Sequence, residues 1–176
     1  MTLSTQTLPT QTPSAQLDLH SGLDTPALTE LVFPDRPLWT PTQLRDLTRT
    51  LAHDHAATLH GLVRFTEPDR WWTRLALTRG VELWLLTWLP GQGTHPHDHG
   101  GAAGSFTVLH GDVIEEHRYP GAPIGVRTFR AGQGIGFGGD RAHAVRNGSG
   151  FPAATVHAYS PPLLPTREYQ SLEEVR

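Results

Sequence analysis

Two histidines one residue apart, His97-Asp98-His99, sit inside a glycine frame, Gly91-x5-His97-x-His99-x4-Gly104-x6-Gly111. Side chains at positions i and i+2 of an extended segment point to one face. The spacing therefore predicts a strand that aims two imidazoles at one point, where they can chelate a single metal ion. A third imidazole, His143, follows a glycine-rich turn (Gly132, Gly134, Gly136, Gly138, Gly139) and is followed by Asn147. Three such donors form a facial set that leaves the remaining coordination positions open to small ligands.

The chain has no cysteine, so disulfides and thiolate ligands are excluded and any metal is held by nitrogen and oxygen. Its 176 residues suit one ordinary domain with its own core. A net charge of -3 and scattered arginines give no basic footprint for nucleic acid. No apolar run is long enough to span a bilayer, and the N-terminus lacks the basic and apolar regions of a signal peptide, so a cytoplasmic location is expected. The expected assembly is a monomer or weak homo-oligomer that meets small molecules, with no nucleic-acid or membrane partner.

Residues 1–20 are rich in Thr, Gln, Pro and Ser and predict a disordered leader, because they cannot bury enough surface to offset ordering. Residues 21–176 are expected to form a single domain, with helices over about 25–55 and a β-barrel over about 71–163. Thr40-Pro41-Thr42-Gln43 reads as a capping box with proline at the first helical position. Leu44, Leu47 and Leu51 continue it as an amphipathic helix to about His55. A shorter helix is expected over Pro26–Val32. Beyond Trp71 come short strands broken by Gly or Pro: Val81–Leu89, Ser105–Leu109, Val113–Tyr119, Val126–Arg130, Ile135–Phe137, Ala144–Arg146 and Ala154–Tyr159. Gly111-Asp112 supplies hairpin-turn chemistry between two of them. The glycine run from Gly132 is no phosphate loop, since no Lys-Ser/Thr and no helical pattern follow it.

The glycine-histidine frame, together with His143-x3-Asn147, resembles the paired motifs of the cupin superfamily over about Val81–Tyr159. The resemblance implies a mainly β fold, a double-stranded β-helix or jelly-roll barrel, here with N-terminal helices. Gly104 stands where most metal cupins carry a glutamate ligand, and Gly138 and Asp140 stand where proline and glycine are usual. His95-Pro96-His97 offers a competing pair on spacing alone, but only His97/His99 keeps both flanking glycines in register. His95 is assigned to the rim of the pocket.

Further segments resemble the thiol dioxygenases, and within them the bacterial-type cysteine dioxygenases: Trp72-Thr73-Arg74-Leu75, Trp88-Leu89-Pro90-Gly91, His97-Asp98-His99, His143-Ala144-Val145-Arg146-Asn147 and Thr155-Val156-His157-Ala158-Tyr159-Ser160-Pro161-Pro162-Leu163. The resemblance implies Fe(II) held by His97, His99 and His143. It implies Arg74 as the partner of the substrate carboxylate and Tyr159 as a hydroxyl donor into the pocket. His157 would orient Tyr159, Thr155 would complete the polar row, and Trp88 would support it. Where animal enzymes cross-link a cysteine to the tyrosine, this chain has Gly104, so no such cofactor forms.

The implied reaction adds both atoms of O2 to the sulfur of L-cysteine. Relatives acting on 3-mercaptopropionate are the nearest alternative, but typically carry glutamine at the Arg74 position and Gly-Gly after the tyrosine. A metal-binding cupin module without turnover is the second alternative, since zinc suits three histidines equally well.

Overall fold

The computed structural model describes residues 17–23, 25–163 and 165–176. Among the described residues, nine strands build two antiparallel sheets: β1 (Asp18–Leu19), β2 (Trp72–Leu77), β3 (Glu82–Trp88), β4 (Ala103–His110), β5 (Asp112–Arg118), β6 (Gly125–Arg130), β7 (Gly134–Phe137), β8 (Ala142–Arg146) and β9 (Ala153–Ser160). Six strands pair in the order β1-β2-β3-β9-β4-β7, and three in the order β6-β5-β8. The inner faces enclose Trp88, Phe106, Val108, Val113, Phe129, Phe137, Val145 and Tyr159, which is the jelly-roll core predicted from the sequence.

On the outer face of the larger sheet lie the helices α1 (Pro26–Leu31), α2 (Pro41–Asp54) and α3 (Ala56–Leu62). The capping box of α2 forms in full, with Thr40 Oγ1 accepting from Gln43 N and Gln43 Oε1 accepting from Thr40 N. Its apolar stripe of Leu44, Leu47 and Leu51 is buried against Leu83, Leu85, Val156 and Ala158. Buried Thr48 stitches helix to sheet, its hydroxyl 2.9 Å from those of Ser105 and Thr107 on the outward face of β4. β9 is buried along its entire length because even positions meet this helical layer and odd positions enter the barrel.

Four expectations change. The part of the predicted leader up to residue 16 lies outside the described residues, but Asp18–Leu19 pair with Leu77 and Ala76 as β1. Leu17 and Leu19 anchor this strand against the helical core. The chain also forms β2 and α3, both unpredicted as elements; Leu59 gives α3 a fully buried contact. Gly111-Asp112 makes no hairpin, since β4 and β5 belong to different sheets. Gly111 takes a φ of 73°, and a Cβ there would overlap Pro152 and Ala153, so this turn carries the chain from one sheet to the other. Finally, His97 and His99 lie on an extended segment outside any ladder strand, tied to the barrel by a bridge from His97 to His143.

Candidate metal centre and active site

His97 and His143 exchange a pair of backbone hydrogen bonds, each 2.9 Å, which fixes the loop of the first motif against β8 of the second. His99 follows two residues later on the same face. One ligand atom from each of His97, His99 and His143 lies within 4.8 Å of the others. The three rings meet edge to face, with centroids 4.8–5.2 Å apart. The extended spacing of the first motif thus brings its two imidazoles together as predicted. His95 lines the same cavity, and its carbonyl accepts from Nδ1 of His97 at 2.8 Å.

The donor set fits a divalent ion on two grounds. Both ring nitrogens of His99 are buried and make no hydrogen bond of good geometry, the Arg141 backbone being the one weak contact, an arrangement that costs stability unless an ion takes the free lone pair. All three imidazoles are also held neutral, as metal coordination requires. Burial, followed by the neighbouring His143 and His97, pushes His99 down to about 2. Burial likewise lowers His97 and takes His143 well below the usual histidine range. His97 and His143 each engage Nδ1, which leaves Nε2 of both rings for an ion.

Gly104 explains why no carboxylate joins the set. A Cβ at this position would overlap the ring of Phe137 and crowd Tyr159. Phe137 fills the volume instead and packs against both His99 and His143.

The row on β9 is connected by hydrogen bonds. Trp88 Nε1 donates to Thr155 Oγ1 at 2.9 Å, Thr155 Oγ1 lies 2.8 Å from His157 Nε2, and His157 Nδ1 lies 3.2 Å from the Tyr159 hydroxyl. An indole N–H can only donate, so Thr155 Oγ1 accepts from Trp88 and still has both a hydrogen and a second lone pair for Nε2 of His157. In the tautomer with hydrogen on Nδ1, His157 accepts from Thr155 and donates to Tyr159, whose own hydroxyl hydrogen is then free to point elsewhere. Burial keeps His157 neutral and raises Tyr159 above its ordinary value. Tyr159 also stacks on His99 with centroids 5.1 Å apart, so the hydroxyl row and the imidazole cluster share one cavity. Asn147 fastens its wall, donating from Nδ2 to the carbonyls of Trp88 and Phe151.

This cavity has a volume of about 440 Å³. Arg74 is not among its lining residues: its guanidinium lies 2.8 Å from Asp18 and 3.6 Å from Glu82, beside a separate depression. The cavity instead contains Arg70, which sequence reasoning missed. Arg70 Nε is buried without a partner, NH1 makes one long contact of 3.4 Å to Gly93 O, and the guanidinium lies 5.3 Å from the Trp88 ring. Desolvation lowers its affinity for a proton while Tyr159 acts in the opposite direction. The available signal in the sequence is the i, i+2 alternation of Arg70, Trp72 and Arg74, which would put all three on one face only if the strand began at Arg70; β2 begins at Trp72.

The structure is similar to that of a Thermus thermophilus protein, with a TM-score of 0.52 and 23% identity over 59% of this chain and 94% of that one. It is also similar to an uncharacterized conserved protein with a double-stranded beta-helix domain from Klebsiella pneumoniae, with a TM-score of 0.54 and 18% identity over 64% of this chain and 95% of that one. A Lactobacillus farciminis oxalate decarboxylase matches with a TM-score of 0.51 and 13% identity over 62% of this chain and 34% of its own. At these identities the likeness establishes the fold, a cupin-type double-stranded β-helix. No curated protein sequence matches the chain. The model of the family described as cysteine dioxygenase type I matches residues 54–171, which include the imidazole cluster, the β9 row and Arg70. The chain therefore belongs to the cysteine dioxygenase type I family.

Proposed function

We propose that the protein is an iron(II)-dependent thiol dioxygenase that oxidises L-cysteine to cysteine sulfinate, RSH + O2 → RSO2H, with both oxygen atoms ending on sulfur. The observation that carries this reading is the meeting of three neutral imidazole donors with a half-buried arginine, its buried Nε without a partner, in one cavity. Iron, when bound, supplies open coordination positions and the electrons that let dioxygen react with a thiolate.

Because His97, His99 and His143 contribute no negative charge, they favour an anionic sulfur ligand beside them. Arg70 offers its free N–H groups to the substrate carboxylate, a charge-assisted contact in a wall made apolar by Trp72, Trp84 and Leu86. Tyr159, polarised by the row running back to Trp88, donates its hydroxyl hydrogen to the carboxylate or to an oxygen on sulfur. His157 and Thr155 set the direction of that donation and touch no substrate atom.

The position of Arg74 favours a second reading, a dioxygenase of 3-mercaptopropionate. By resemblance Arg74 was the mark of a cysteine enzyme, and it stands outside the cavity; Arg70 would hold the carboxylate of either thiol. Oxygen uptake and sulfinate formation by iron-reconstituted protein, with cysteine and 3-mercaptopropionate in parallel, test the proposal. Faster turnover of cysteine is expected. Turnover of 3-mercaptopropionate alone overturns the cysteine assignment, and no sulfinate from either thiol leaves only the metal-binding module. A reduced thiol substrate accords with the cytoplasmic location proposed here, and no helix among the described residues is long and apolar enough to cross a membrane.

A further inference from the structure

Glu115 lies at the centre of β5, a fully buried carboxylate in the smaller sheet, on the same strand face as core residue Val113. Its Oε1 accepts from Nδ1 of His143 at 2.8 Å and from Nε of Arg141 at 3.1 Å. Its Oε2 accepts from the NH2 group of Arg141 at 2.5 Å. Arg141 is itself buried, and its guanidinium lies 5.4 Å from the ring of Phe137.

A charge buried this deeply is costly unless every oxygen is used, and a plain ion pair would have needed only the arginine. The third contact goes to an imidazole whose other nitrogen faces the cavity. The remaining two rings lack such support, since His97 donates to a neutral carbonyl and His99 has at most the neutral backbone of Arg141 beside it. The three donors are therefore electronically unequal, and the one backed by an anion is His143.

We propose that Glu115 supplies, at one remove, the negative charge that Gly104 and Phe137 exclude from direct coordination. It fixes His143 with hydrogen on Nδ1 and the Nε2 lone pair facing the cavity, and increases the donor strength of that nitrogen. Arg141 holds the carboxylate in place. Glu115 is in this account a positioning residue, and the inference rests on the metal-binding reading of the histidine cluster.

The test uses the full-length metal-free protein titrated with Co²⁺ against a competing chelator, comparing wild type, Glu115→Gln and Arg141→Gln. Gln at 115 keeps an acceptor for His143 but removes the charge. Co²⁺ affinity is expected to fall ~10- to 100-fold in Glu115→Gln, with a changed visible spectrum, the range typical of losing a partner behind a ligand. Arg141→Gln, which disturbs the same packing but leaves the anion on His143, is expected to stay within a few-fold of wild type. Wild-type affinity in Glu115→Gln, or equal weakening in both variants, overturns the proposal. Absence of Co²⁺ binding by wild type would instead overturn the metal reading itself. Should Glu115→Gln fail to fold, nitrogen NMR of the zinc-loaded wild type decides: His143 is expected to coordinate through Nε2 with a hydrogen-bonded Nδ1 proton, and coordination through Nδ1 overturns the assignment.

Discussion

Arg70, just before β2, and Arg74, within it, lie four residues apart on either side of the same two aromatic rings. Trp72 and Trp84, packed edge to face with centroids 5.1 Å apart, line both depressions. On the far side Arg74 pairs with Asp18 at 2.8 Å and lies 3.6 Å from Glu82, and Glu82 in turn accepts from the Leu163 amide at 3.0 Å. On the near side Arg70 Nε and both nitrogens of His99 have no partner. Satisfied polar groups hold a fold together, whereas buried unsatisfied ones are tolerated where a ligand completes them. This contrast separates the structural end of the inner face from the chemical end, and it places Arg70, where the family resemblance pointed to Arg74, beside the histidines.

The contrast is sharpened most by His99→Leu. Leucine has similar bulk and no nitrogens, so metal affinity and dioxygenase activity are expected to fall by more than the ~100-fold typical of losing only a supporting partner. The metal-free protein should nevertheless become more stable, by about 1–3 kcal/mol, because two buried polar atoms without partners are removed. Calorimetry of the metal-free variant checks this; a lower melting temperature would mean that His99 is satisfied without metal. Acid should expose the same tension across the cluster. In the unfolded chain each imidazole takes up a proton below about pH 6.5, while native His97, His99, His143 and His157, depressed chiefly by burial, remain neutral to lower pH. The unfolded state then binds more protons, so stability increases with pH up to about 6.5 and is lost on acidification, by up to ~1.4 kcal/mol per group per pH unit. Thermal melts of metal-free protein should be flat above pH about 7 and fall steeply between pH 6 and 5. A melting temperature constant over that interval would place the imidazoles in contact with water.

Arg70→Gln comes next in size. If Arg70 meets the substrate carboxylate, kcat/KM falls by about 10- to 100-fold, the equivalent of one charged hydrogen bond of about 1.5–3 kcal/mol. A thiol without a carboxylate should react equally well with both proteins. Equal loss with both thiols would assign Arg70 to the architecture of the cavity.

How legible all this is in the sequence depends on which physical signal each residue leaves. The metal cluster is legible because i, i+2 spacing survives even where His97 and His99 leave the ladder strands: an extended backbone is enough to align two rings. The β9 row is legible for the same reason, and the capping box of α2 because its interactions are local. Arg70 is not, since it precedes β2 and only pairing with β3 shows which end of the segment reaches the histidines. Glu115 leaves a weaker trace, a charged residue on the strand face of Val113, and its meaning appears only when the pairing of β5 with β8 brings Arg141 and His143 to it. Sheet partners are set by non-local packing, and so a residue's neighbours across the ladder stay hidden in a single chain.

Arg74→Gln is expected to have the smallest effect of all, and it is the variant that tests the comparison directly. Arg74 keeps 40% of its side chain exposed and its closer partner Asp18 is 54% exposed, so solvent screens the pair; an exposed ion pair contributes about 0–1 kcal/mol. The contact to the more buried Glu82 is longer, at 3.6 Å, and Glu82 keeps its bond from Leu163 when the arginine is gone. Melting temperature should therefore drop by a few degrees at most, and kcat/KM with cysteine should stay within about two-fold of wild type. Assaying Arg74→Gln beside Arg70→Gln with one substrate gives four possible patterns, and only loss confined to Arg70→Gln agrees with the geometry. Selective loss of the cysteine reaction in Arg74→Gln, with Arg70→Gln unaffected, would mean that Trp72 and Trp84 swing aside in solution, Arg74 leaves Asp18, and the carboxylate is read from the opposite side of the aromatic wall.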